Sequence, residues 1–155
     1  MAEARQLLTD IRLQLRQQAW RPVYTVATDQ RRVPTRDGAA QLTDLGTVSG
    51  RDNLGQAILL RLLTPRGELA GLGHPQYGSR LHELIGRPNS ETTRNLAKLH
   101  ILEALREERR VAKVVEVAVE PPPDGRPRDR VSIRLRVVPL GESRVLDLGP
   151  FTLEL

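Results

Sequence analysis

Apolar residues recur every three or four positions in the first two thirds of the chain and every second position near its end. In the opening segment, residues 4–17, Leu7, Leu8, Ile11 and Leu15 fall on one helical face and predict a short amphipathic helix. Residues 25–52 are polar and broken by Pro34, Gly38, Gly46 and Gly50. They are too long for a structureless connection, so they are expected to lie along a partner or to fold back in short strands. "NLGQAILLRLLTPRGE" predicts a helix, with Asn53 as N-cap, Gln56 at capping-box spacing, and Ile58, Leu59, Leu62 and Leu63 inward. Pro65 ends that helix and Gly67 turns the chain.

"HPQYGSRLHELIG" reads as a loop and a short helix with Leu81, Leu84 and Ile85 inward and Gly86 as a left-handed cap. The longest helix starts at Asn89 or Ser90, with Leu96, Leu99, Ile101, Leu102 and Leu105 as its buried set. The period then changes to two. Val111, Val115, Val117 and Val119 mark one strand. Val131, Ile133, Leu135 and Val137 mark a second, alternating with Arg130, Ser132, Arg134 and Arg136. "PPPDGRPRD" joins the two as a hairpin loop, and "SRVLDLGPFTLEL" supplies a third strand with a bulge at Gly149-Pro150. The lack of an amide donor at Pro150 suits a sheet edge. The expected fold is α+β: a single domain with helices packed on a small antiparallel β-sheet, a three-stranded C-terminal meander, and an N-terminal helix and arm.

Composition narrows the function classes. Only 3 % of the residues are aromatic, so a core must be aliphatic and base-stacking platforms are scarce. The net charge of +5 raises nucleic acid or an acidic protein as partner, but arginine is spread from Arg5 to Arg144. The chain has no cysteine, which excludes disulfides and thiolate metal sites. The charged N-terminus is unlike a signal peptide, and no apolar run is long enough for a bilayer. A soluble, cytoplasmic place of assembly is expected.

Candidate chemistry is sparse. His74, His82 and His100 lack metal-ligand spacing, and no nucleophile elbow or phosphate loop is present. No catalytic, metal or cofactor residue is therefore assigned. Glycoside hydrolysis needs one carboxyl with a raised pKa, whereas the acids here sit among arginines. Peptidoglycan hydrolysis and basic nucleic-acid binding stay as the two alternatives to a structural role. "LREERRV", residues 105–111, sets five charges of both signs at the joint between the longest helix and the first strand of the meander.

Residues 44–155 resemble the baseplate wedge, or sheath-initiator, family of contractile tails: phage tails, type VI secretion and extracellular injection particles. "LLTPRGE" matches that family at Thr64, Gly67 and Glu68, and "HPQYGSRL" at Pro75, Tyr77, Gly78 and Leu81. "GELAGLGHPQYGSRLHELIG" stands nearer to extracellular injection particles than to tailed phages. The helix-to-strand joint matches a Glu-Pro-Arg signature at Glu108 and Arg110, with Arg109 in the proline position.

The resemblance implies a non-enzymatic structural subunit, in six copies or a multiple in a six-fold baseplate. Its implied partners are other wedge subunits, the inner tube and spike hub, and the sheath protein. Glu108, Arg110 and Arg109 would form a partner interface. The sheet, at Val131, Ile133, Leu135, Phe151 and Leu153, would receive sheath strands by β-addition. Replacing Glu108 or Arg110 by alanine is expected to leave the domain folded and block assembly. Residues 1–43 fall outside the resemblance and read as an arm laid on a neighbour.

Overall fold

The computed structural model describes residues 8–18, 21–36, 38–121 and 129–155, without the side chains of 15–24. Most of the expected hairpin loop after Glu120, and residues 1–7, lie outside these segments. The chain divides into two compact units, Met1–Gln56 and Ala57–Leu155.

Unit 1 is built from three two-stranded antiparallel ladders: β1 (Thr9–Ile11) with β6 (Thr47–Ser49), β2 (Leu13–Gln18) with β3 (Arg21–Val26), and β4 (Thr28–Thr35) with β5 (Gly38–Leu45). The helix expected over residues 4–17 is not formed by residues 9–18, which are strand on either side of Arg12. The same letters carry a second period: Ile11, Leu13 and Leu15 alternate with Arg12, Gln14 and Arg16. Pairing with β6 and β3 selects that period over the helical one. The polar stretch after it folds back in short strands, one of the two outcomes expected.

The three ladders meet at Arg12, Ala27 and Gly46. The Arg12 N–H donates to Gly46 O at 2.8 Å, the Gly46 N–H to Ala27 O at 2.7 Å, and the Ala27 N–H to Arg12 O at 2.8 Å. An ordinary antiparallel pair exchanges both bonds with one partner. Here each residue gives one bond to each neighbouring ladder, so the junction closes as a ring with no orphaned amide. Arg12 also ion-pairs with Asp29 across it. A β-carbon at Gly46 would lie 3.1 Å from Ala27 O and 2.8 Å from the Arg12 guanidinium, which explains a residue without one.

Helix α1 spans Gly50–Leu63, and the boundary between the units falls inside it. It starts three residues before Asn53, so Asn53 is a buried residue of the first turn rather than the cap. Gln56 does not close a capping box. Its amide accepts the Leu13 N–H at 2.8 Å and donates to Ile11 O at 2.9 Å, satisfying backbone groups of β1 and β2.

Unit 2 holds most of the buried apolar residues. After α1, Pro65 and Ser79 form a parallel bridge that closes the 65–79 loop, and a 3-10 turn follows at Leu81–Leu84. Leu81 and Leu84 are buried, but Ile85 is 65 % exposed because the turn ends in extended backbone there. Gly86 takes the expected left-handed conformation, at φ 86°. Helix α2 spans Glu91–Arg106; the Ser90 side chain caps it by accepting the Thr93 N–H at 3.1 Å. Asn89 instead donates to Arg130 O at 2.7 Å.

The buried face of α2 is Thr93, Ala97, His100, Ile101, Ala104 and Leu105. Leu99 and Leu102, expected inside, are 49 % and 38 % exposed. The small residues Ala97 and Ala104 take the interior instead, which lets α2 lie close to the strand it packs against.

The sheet is the expected meander: β7 (Val111–Glu120), β8 (Arg130–Pro139) and β9 (Leu146–Glu154), in that order. On β8 the alternation holds, with Val131, Ile133, Leu135 and Val137 fully buried. Each such side chain stabilises the fold by about 2 kcal/mol relative to exposure. On β7, register shifts at Val111/Lys113 and Val114/Glu116 change the parity, so Val115 is 43 % exposed. On β9 the register shifts opposite Ile133–Leu135, where Gly149 and Pro150 add length. Gly149 has φ 106°, and a β-carbon there would meet Ile133 O at 2.7 Å. β9 is an edge strand, as Pro150 suggested.

Candidate functional site

The joint between α2 and β7 is the most organised polar site among the described residues. Glu107 closes the helix, and the Glu108 N–H bonds back to Leu105 O at 3.1 Å. The Val111 N–H then reaches Glu108 O at 3.0 Å, so residues 108–111 form a hydrogen-bonded turn. The Leu140 N–H donates to Arg110 O at 2.7 Å and fixes the start of the strand pairing.

Inside this turn the Glu108 side chain is 7 % exposed. Its Oε1 accepts Arg110 Nε at 2.8 Å and the Arg110 backbone N–H at 3.3 Å; its Oε2 accepts Arg110 Nη2 at 3.2 Å. Arg61 of α1 approaches Oε2 at 3.5 Å. Burial alone pushes the Glu108 carboxyl up. The hydrogen bonds and charge of Arg110, with the charge of Arg61, outweigh it and hold the group below its ordinary value.

The Glu108–Arg110 pair is therefore made within one chain. This alters the expectation for alanine at Glu108: the change removes a buried carboxylate that pairs with both Arg110 and Arg61, and lowers stability. Arg109 is exposed and occupies the second position of the turn. Proline is favoured at that position.

The 64–81 segment reaches the same arginine through Tyr77. The Arg61 guanidinium lies 4.5 Å from the centre of the Tyr77 ring. Thr64 Oγ1 donates to Leu60 O at 2.8 Å, and Thr64 O accepts the Ser79 N–H at 2.8 Å. Gly67, at φ 90°, donates its N–H to Tyr77 O at 3.3 Å. Gly78, at φ 105°, lets the two arms of the loop touch: a β-carbon there would lie 2.5 Å from Thr64 O. Leu81 is buried beneath, while Glu68 and Pro75 are exposed on the loop. These residues position the loop. Sequence reasoning missed Arg61, although a lone cation inside "AILLRLLT" was a signal for a charge tethered in an apolar setting.

The residues proposed to receive a strand separate into two groups. Val131, Ile133 and Leu135 lie on the central strand, both of whose edges are paired, and their side chains fill the core. Phe151 and Leu153 lie on the edge strand β9. The Leu155 N–H bonds to Asp129 O at 2.6 Å, and this sets the alternation. It turns the N–H groups of Thr152 and Glu154 away from β8.

The basic stripe on the outer face of β8 is largely matched. Arg130 pairs with Glu154 at 2.8 Å; Arg136 pairs with Glu116 at 3.3 Å and Asp147 at 3.7 Å. Arg134 is exposed between them. The histidines do not converge: His100 is buried with Nδ1 3.5 Å from Glu103, and His82 Nδ1 is 3.2 Å from Ser79 O. Among the described residues no group of three or more His, Cys, Asp or Glu forms a metal-binding cluster. No described helix is long and apolar enough to cross a membrane.

No family model matches the sequence. No curated protein matches it either. The fold does have a counterpart among solved structures: a Geobacter sulfurreducens protein described as a "putative tail lysozyme". The two share 20 % identity and superpose with a TM-score of 0.60, over 72 % of this chain and 96 % of that one. The resemblance is one of fold, and it takes in nearly the whole of the Geobacter protein.

Proposed function

We propose that this chain is a structural baseplate component of a contractile, tail-like injection particle. It joins wedge subunits around the tube and spike and offers a sheet edge on which the first sheath ring is laid. The observation that carries the reading is the fold shared with almost the whole of a protein described as belonging to a tail. The motif residues around Arg61 and Glu108 and the open β9 edge support it.

In this reading β9 is the strand-accepting edge. Thr152 and Glu154 offer the outward backbone groups, with Phe151 and Leu153 beside them. Arg109, exposed on the turn, and the Arg110 face of the joint meet a neighbouring wedge subunit, while Glu108 braces them from inside. The assembly forms in the cytoplasm with six copies or a multiple, and without a cofactor.

The chain is proposed to be non-catalytic, in spite of the word lysozyme in the name of the Geobacter protein. Glu108 is the one buried carboxylate among the described residues, and it is held charged. A glycosidase acid needs the opposite shift. Nucleic-acid binding is not favoured, because carboxylates on β7 and β9 match Arg130 and Arg136 of β8.

The test is a deletion of this chain in the producing cell, complemented by wild type or by a variant with Thr152→Pro and Glu154→Pro. Electron microscopy should show sheathed particles with wild type, and baseplates or tubes without sheath in the other two cases. Normal sheathed particles in the deletion would refute the role, and hydrolysis of purified peptidoglycan by the pure protein would refute the non-catalytic part.

A further inference from the structure

Among the described residues no third strand pairs with the β4–β5 hairpin of unit 1, and the proposed function does not use its edges. Its strands are eight residues each, and their burial is slight along the whole length. A two-stranded hairpin with no covered face is marginally stable in water. Its register shows which edge is available. The Gly46 N–H bonds Ala27 O, which sets the phase of the ladder: position 27/46 is a hydrogen-bonding one, and the pairing alternates from there.

Residues 29, 31, 33 and 35 therefore bond to 44, 42, 40 and 38. Residues 28, 30, 32 and 34 turn their backbone groups outward on the β4 side, and 39, 41, 43 and 45 on the β5 side. The β4 edge is interrupted, because its outward position nearest the turn is Pro34, which has no N–H. On the β5 edge, the Leu45 N–H is taken by the Asp44 carboxylate at 2.8 Å. Ala39, Gln41 and Thr43 are left as an unbroken run of outward donors and acceptors.

The side chains beside that run are sorted by face. Ala40, Leu42 and Asp44 lie on one face, with Leu42 52 % exposed; Ala39, Gln41 and Thr43 lie on the other. A strand added to β5 meets an apolar neighbour at Leu42 and a negative charge at Asp44 on the same face.

We infer that the β5 edge binds an extended segment of a partner protein by β-addition. That segment carries apolar residues and a lysine or arginine at alternate positions on one face. The inference stands on the register and side chains of unit 1 and is independent of the proposed baseplate role.

The experiment uses the full chain and a fluorescein-labelled peptide, Thr-Val-Thr-Val-Thr-Lys-Thr, followed by anisotropy. Saturable binding is expected. Gln41→Pro removes one outward donor and should weaken binding about tenfold, whereas Gln41→Ala should not. Proline at 41 is compatible with the hairpin, since Pro34 already occupies an outward position of the same ladder. An unchanged melting curve checks that the variant is folded. Peptide with glutamate in place of lysine should bind more weakly, and peptide N-methylated on alternate amides should not bind.

Absence of binding to the unmodified peptide would overturn the inference. So would equal binding by folded Gln41→Pro or by the N-methylated peptide. Self-association in sedimentation that Gln41→Pro abolishes would overturn it too, because a second copy would then own the edge.

Discussion

Arg61 lies 3.5 Å from the carboxylate of Glu108 and 4.5 Å from the centre of the Tyr77 ring. One side chain thus ties three parts of unit 2 together: the last turns of α1, the closed loop after it, and the turn that carries α2 into β7. Glu108 satisfies the same arginine together with Arg110. The charges at this joint are therefore divided in their work, with Glu108 and Arg110 paired inside and Arg106, Glu107 and Arg109 facing solvent.

Replacing Glu108 by alanine should destabilise unit 2 by about 3 kcal/mol, because it removes a buried carboxylate hydrogen-bonded to Arg110 and ion-paired with Arg61. Urea unfolding of the isolated chain measures this. A change within error would show that the carboxylate is not the brace its geometry indicates.

Arg61→Ala should cost about 1–2 kcal/mol through the lost ion pair and the lost contact with Tyr77. In a double-mutant cycle, Arg61→Ala and Glu108→Ala should be non-additive by about 1 kcal/mol. Strict additivity would mean that the two charges do not feel each other.

Arg109→Pro should raise the melting temperature by a few degrees, an effect of about 0.5–1 kcal/mol. Proline fits the second position of the 108–111 turn and restricts the unfolded chain. A lower melting temperature would show that the backbone at Arg109 is incompatible with proline.

Acid should weaken the joint in a definite window. The Glu108 carboxyl is held below its ordinary value in the folded chain, so its stabilising contribution is fully present above about pH 4.3, the usual glutamate value. It is lost as pH falls through the lower, folded value. Stability of wild type minus that of Glu108→Gln, measured by denaturant unfolding from pH 7 downward, should be flat to that point and shrink below it. A difference that persisted unchanged in stronger acid would contradict the assignment.

Gly78→Ala should destabilise unit 2 by at least about 2 kcal/mol, since the backbone is left-handed and the new carbon would press on Thr64 O. Gly71→Ala, where nothing lies within 4 Å, is the control and should change little. Equal effects at both positions would undo the argument from close approach.

Some of this was decided by sequence alone. The alternation of Val131, Ile133, Leu135 and Val137 with polar residues fixed β8 and its buried face, because period two admits one assignment once one face is apolar. Pro65 and Gly67 marked their boundaries for local reasons that hold in any context, a missing donor and a left-handed turn, while the helix cap was left between Asn89 and Ser90 until the structure gave it to Ser90. Residues 9–18 were ambiguous, since Ile11 and Leu15 satisfy a helical spacing and Ile11, Leu13 and Leu15 a strand spacing. Partner strands distant in sequence made the choice. Bulges turned Val115 outward, and close packing put Ala97 and Ala104 inside in place of Leu99 and Leu102.

The joint divides in the same way. "LREERRV" showed that charges of both signs collect where helix becomes strand, and the lack of cysteine showed that they are not part of a thiolate centre. Which of them pair is set by the path of the 108–111 turn, which brings Arg110 onto Glu108, and Arg61 enters only through the packing of α1 and its loop. A charge pattern along a chain records what is available to pair. Burial and the path of the backbone determine which pairs form and how strongly they hold.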